Sequence, residues 1–156
     1  MDCTVFVTEI NENKVKMMEK QGAIPFCPSG TIAEQTEFLA KKWLENDVCT
    51  VFECAGSSVT TTMAMAAAPR GSDIILLGLS FKPAEFVPLK IVREGISILP
   101  SIIYDHPFDF QKVIQLISQK VIQPNFIISQ YRPLIDLQNA LEIASEGNDS
   151  KIVITL

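Results

Sequence analysis

Apolar and polar residues alternate along the chain in two distinct rhythms. CTVFVTE (3–9), VCTVFECAG (48–56), SDIILLGL (72–79) and SKIVITL (150–156) are nearly continuous in apolar and β-branched residues. That pattern predicts strands covered on both faces. Between them run stretches with helical spacing. NENKVKMMEKQG (11–22) has Asn11 as a candidate N-cap, Glu12 at the positive end and Gly22 at the stop position. TIAEQTEFLAKKWLEN (31–46) places Ile32, Phe38, Leu39, Trp43 and Leu44 on one face, and PFDFQKVIQLISQ (107–119) does the same with Phe110, Val113, Ile114 and Ile117. SSVTTTMAMAAAPRG (57–71) predicts a helix whose small residues pack closely on a sheet, the Met and Ala side chains serving as core.

Shorter pieces complete the series. AIPFC (23–27) reads as extended, PLKIVREGISILPSIIY (88–104) as a short helical or extended piece followed by a strand, NFIISQ (125–130) as a strand, and PLIDLQNALEIASEG (133–147) as a helix. Strands separated by helical stretches of this length imply β-α-β units with right-handed crossovers. The expectation is an α/β fold: one domain over 1–156 with a mostly parallel sheet and helices on both faces.

Composition adds mainly exclusions. The 156 residues carry a formal charge of −5 and no dense Lys/Arg cluster, so a nucleic-acid surface is not expected. No apolar run approaches the ~20 residues that span a bilayer, and the N-terminus lacks the pattern of a signal peptide. A cytoplasmic protein with no membrane partner is the expectation. The four cysteines, at 3, 27, 49 and 54, form no C-x-x-C pair, and three of them adjoin strand-like runs where a buried apolar role is expected. With His106 the only histidine, neither a zinc site nor a Cys54 hydrolase with a visible base can be assembled from this chain. Asp105, His106 and Asp109 read as helix capping.

In open parallel sheets ligands sit beyond the carboxyl ends of the strands. Glu9, at the first such exit, suits either the hydroxyls of an adenosine ribose or capping of the following helix. A carboxylate there would also repel a 2′-phosphate. Lys14 lies one helical turn further on. Gly56 and Gly78, in the CAG and LGL exits, either admit a flat ligand against bare backbone or simply turn the chain. Neither G-x-G-x-x-G nor G-x-x-x-x-G-K-[ST] occurs, so a pyrophosphate would lack its glycine loop.

The order VFVTEINENKVKMMEKQGA, DVCTVFECAGS, SDIILLGL, PLKIVREGISILPSIIY, FQKVIQLISQKVIQP and PLIDLQNALEIASEGNDSKIVI resembles the C-terminal half of zinc-type medium-chain dehydrogenases, the branch with sorbitol, threonine and butanediol dehydrogenases. The resemblance implies a Rossmann-like portion lacking the first strand and glycine-rich loop, its final strand beginning near 150. It implies NAD as cofactor and zinc only in a domain outside the matched part. On it, Glu9 falls on the ribose-binding acid, Lys14 on an adenosine-side basic position, Cys54 and Ala55 along the cofactor, Leu77 and Leu79 at the nicotinamide end, and Lys151 near the pyrophosphate. Pro100 and Gln119 stand where relatives often have glycine. The implied activity is an oxidoreductase moving a hydride between a secondary alcohol and NAD, with little turnover and weak NAD(H) binding at most in this chain alone. The alternative is a non-catalytic α/β module that self-associates through an exposed sheet edge, for which Glu85–Val92 is the candidate.

Overall fold

The computed structural model describes residues 3–156. In chain order the elements are β1 (Phe6–Val7), α1 (Glu12–Lys20), β2 (Ile24–Pro25), α2 (Ile32–Glu45), β3 (Thr50–Glu53), α3 (Ser58–Ala67), β4 (Asp73–Leu76), α4 (Pro88–Glu94), β5 (Ser97–Pro100), α5 (Phe108–Ser118), β6 (Gln130–Pro133), α6 (Leu137–Ser145) and β7 (Ile152–Thr155). Two 3₁₀ turns, Pro124–Ile127 and Leu134–Asp136, flank β6. Every ladder is parallel, as the strand–helix alternation implies. They form three separate sheets, β1-β2, β3-β4-β5 and β6-β7.

Contacts divide the chain into two compact units. The first comprises the chain up to Ile10 together with Met18–Ile103, and the second Asn11–Met17 with Tyr104–Leu156. In the first, α2 and α3 supply most of a core of Phe26, Leu39, Trp43, Met63, Ala64, Met65, Ala67, Ala68, Ile74 and Ile96. All of the MAMAAA stretch except the exposed Ala66 is therefore core. Its small side chains let α3 approach β3 and β4 closely, and Ile74 at the centre of the three-stranded sheet is fully buried. Phe6 of β1 stacks on Phe26, with ring centroids 4.6 Å apart.

Helix ends follow the residues that favour them. Asn11 Oδ1 accepts from the Asn13 and Lys14 backbone N–H groups, capping α1. Thr31 and Glu34 close a capping box on α2. Gly95 ends α4 in the left-handed conformation, φ +63°. Before α5 the expected capping is not made: the N-cap is Pro107 with no side-chain cap hydrogen bond, and Asp109 Oδ2 instead accepts from the Asp105 N–H ahead of the helix at 2.7 Å.

Three expectations need correction. The apolar run NFIISQ is not a strand: Pro124 opens a 3₁₀ turn, and the ladder begins only at Gln130. Within Glu85–Val92, residues from Pro88 onward are helix α4, so that segment supplies no sheet edge. In the three-stranded sheet the edges are β3 and β5, each of which pairs only with β4 among the described residues. The cysteines are free, but all four are exposed.

Candidate functional site at the strand exits

The exits of β3 and β4 meet. Their ladder aligns Glu53 with Leu76, and beyond it the chain turns in Cys54-Ala55-Gly56 on one side and Leu77-Gly78-Leu79 on the other. The backbone N–H groups of Leu77 and Gly78 both donate to the Glu53 carbonyl, at 2.9 and 2.8 Å. Gly56 adopts φ +66°, and a Cβ there would come within 2.7 Å of the Leu79 nitrogen. A Cβ on Gly78 would overlap the Gly56 nitrogen and lie 2.7 Å from Glu53 Oε2. The two glycines thus make room for each other's backbone, a third role beside admitting a ligand or turning the chain.

Glu53 holds this junction. It is only 5% exposed. Its Oε1 accepts from the N–H groups of Ala55 and Gly56, both at 3.1 Å, and from the Thr60 hydroxyl at 2.8 Å. Ser57 caps α3 by accepting from the Thr60 N–H at 3.1 Å, so the helix start carries both oxygens. Oε2 is buried without a hydrogen-bond partner. Pattern reasoning passed over Glu53 as one residue of an apolar strand. The available signal was an acid between Phe52 and Cys54 in a run expected to be buried, since a buried carboxylate needs donors.

The junction gathers four of the anticipated residues. Cys54, Ala55, Leu77 and Leu79 are exposed around a backbone floor. The Cys54 thiol is pushed up from its ordinary value, first by partial burial and then by the Glu53 carboxylate. Glu9 lies on a different ladder, just past β1, where its Oε1 accepts from the Ile10 N–H at 2.7 Å. Capping of α1 falls to Asn11. Lys14 and Lys151 belong to the second unit. Lys14 Nζ donates to the Gly147 carbonyl at 2.8 Å. Lys151 lies at a cavity of about 270 Å³ between α6 and β7, lined by Leu137, Ala140, Leu141, Ala144 and Ile154 among others.

Residues 1–119 match the family of zinc-binding dehydrogenases. The chain belongs to that family. No curated protein matches the sequence. Among solved structures, an E. coli CFT073 alcohol dehydrogenase described as short-chain and complexed with NADH superposes with TM-score 0.83 at 20% identity, over 98% of this chain and 44% of its own. The 2R,3R-butanediol dehydrogenase of Bacillus subtilis gives 0.80 at 20% identity, with the same two coverages. A Sinorhizobium meliloti 1021 protein described as a zinc-binding dehydrogenase, bound to NADP, gives 0.82 at 22% identity over 98% and 45%. The chain spans less than half the length of these proteins. At such identities the likeness concerns fold, and it extends beyond the family match through β6, α6 and β7. The chain is α/β with parallel strands and six α-helices among the described residues.

The residues fit part of a dinucleotide. An acid past β1 suits a ribose, whereas the Cβ sides of Gly56 and Gly78 are filled by the two turns themselves. Nothing in the sequence supplies the glycine loop for a pyrophosphate. Among the described residues no group of three His, Cys, Asp or Glu side chains could hold a metal ion, and no helix is long and apolar enough to cross a membrane.

Proposed function

We propose that this chain is the cofactor-binding portion of a zinc-dependent alcohol or polyol dehydrogenase, which in its complete form moves a hydride between a secondary alcohol and NAD. NAD supplies the hydride acceptor, and the zinc belongs to a part of the enzyme outside these residues. The observation that carries the reading is the junction of the β3 and β4 exits, found in a chain of this family. The NADH complex of the E. coli relative supports it. Glu9 binds the adenosine ribose and selects against a 2′-phosphate. Cys54 and Ala55 lie along the cofactor, and Leu77 and Leu79 receive the nicotinamide end. Residues 1–156 act as one Rossmann-like portion of a cytoplasmic oxidoreductase. Without the glycine loop, NAD(H) binds weakly and turnover by the chain alone is negligible.

Calorimetric titration with NADH and NADPH tests this reading. NADH is expected to bind weakly but measurably, NADPH more weakly, and Glu9→Ala is expected to remove most of the difference. Equal affinities in the unmodified chain would sink the assigned role of Glu9. Polyol oxidation at ordinary enzyme rates would sink the prediction of inactivity.

A second reading, compatible with the first, is self-association through the β5 edge. Support comes from the unpaired side of β5 and the exposed Leu99, Ile102 and Ile103 that continue it. A second copy pairing along that edge would form a homo-oligomer.

A further inference from the structure

Each compact unit leaves one apolar surface open. In the three-stranded sheet the register sorts side chains onto two faces. Val51, Ile74 and Ile98 stand side by side on one of them, where Ile74 lies in the core and Val51 and Ile98 pack against it. The next row, Phe52, Ile75 and Leu99, therefore stands on the opposite face. There Phe52 is 60% exposed, Leu99 is 43% exposed and Ile75 is half-buried. Parallel sheets occur almost only with both faces covered, so an apolar row left open calls for a covering layer. The second unit carries a helix of the matching kind. Phe110, Val113, Ile114 and Ile117 recur at helical spacing and form one stripe along α5. Their exposure runs from 42% at Ile117 to 65% at Ile114, and no residue of α5 is buried. The stripe is about 10 Å long at the helical rise, and the four-residue strands of the sheet also run about 10 Å.

We infer that two copies of this chain pair by exchange, α5 of each laying its apolar stripe on the Phe52–Ile75–Leu99 row of the other. Both halves of the contact stay open in one folded chain, and a second copy brings the complement of each. The exchange is reciprocal, so it closes as a two-fold dimer and does not grow further. Each helix-on-sheet contact covers on the order of 600 Å², and the two together about 1,200 Å², the lower end of what specific interfaces bury. Residues 101–107, which join β5 to α5, are all exposed, so the exchange breaks little packing. This interface uses side chains on the sheet face, whereas pairing along the β5 edge uses backbone groups.

The test mixes equal amounts of ¹³C,¹⁵N-labelled and unlabelled full chain and records isotope-filtered NOE spectra, which report only contacts between copies. NOEs are expected between the Val113 and Ile114 methyl groups of one copy and the Phe52 ring of the other. A chain that sediments as a monomer overturns the inference. So does a dimer whose filtered spectra lack these NOEs, which would point to another interface such as the β5 edge. Two variants at exposed positions give an independent reading. Phe52→Glu and Ile114→Glu each place a charge in the contact and are expected to weaken association about tenfold or more. Mixed together, they should associate more strongly than either alone, because α5 of the first meets the intact sheet of the second. Association that Ile114→Glu leaves unchanged, or that the mixture does not strengthen, overturns the inference.

Discussion

At the scale of single residues, the contacts that matter most are those made by groups lacking a side chain. Gly56 and Gly78 can each be recognised in the sequence as a strand exit, but that they abut each other depends on how β3 and β4 pair. Adding one methyl group at Gly78 drives it into Gly56 and Glu53. Gly78→Ala should therefore cost about 1–3 kcal/mol of stability, the range for overpacking a filled site, as measured by urea denaturation. Gly71→Ala is an informative control. No atom lies near its Cβ, so only its φ of +74° opposes the substitution. A loss at Gly78 no greater than at Gly71 would contradict the packing argument. Cys54 gives a second residue-scale prediction. Its raised thiol should be alkylated by iodoacetamide at pH 8 more slowly than free cysteine, and Glu53→Gln should recover part of that rate. Recovery can only be partial, because burial is the larger cause.

Among the elements, α2 shows local chemistry setting a helix start while the hydrophobic period is met only in part, since Leu39 and Trp43 are buried but Ile32, Phe38 and Leu44 are exposed. Its apolar spacing is readable in the sequence, and its start is set by Thr31. The Glu34 N–H donates to Thr31 Oγ1 at 3.3 Å, and the Thr31 N–H and hydroxyl both donate to Glu34 Oε2 at 2.7 Å. Thr31→Ala should destabilise the fold by about 1 kcal/mol, measurable by thermal denaturation. The Thr31 N–H and then its hydroxyl hold the Glu34 carboxyl below its ordinary value. A depressed folded-state value means that this contribution is complete above the ordinary carboxylate range and is lost as pH falls through the lowered value. Faster Thr31 amide exchange, corrected for intrinsic pH effects, should appear on that acidic side and be absent in Glu34→Gln. Elsewhere the pattern was weaker. The apolar residues of 125–130 suit a short strand or a turn equally well, and Pro124 together with the contacts of the second unit selects the turn. Exposed cysteines were likewise illegible, because the same apolar runs hold buried Phe26 beside exposed Cys27 and buried Glu53 beside exposed Cys54.

The whole molecule is a family member spanning less than half the length of the solved proteins it resembles. Fold class and parallel pairing follow from the repeated strand–helix alternation. Separation into three sheets and two compact units does not, because it depends on which strand edges find partners. The exposed apolar edge along β5 predicts self-association. In sedimentation velocity the mean mass should rise with concentration, and a strictly monomeric, folded chain would contradict that edge as an interface. For cofactor binding, the most direct measurement is an amide-shift map of the labelled chain titrated with NADH, beside the same map for Glu9→Ala. Shifts should cluster at Glu9 and at the Cys54–Gly56 and Leu77–Leu79 exits, with weaker saturation in the variant. NADH that leaves both exits unmoved, or that shifts only residues remote from them, would show that this portion is not where the dinucleotide binds.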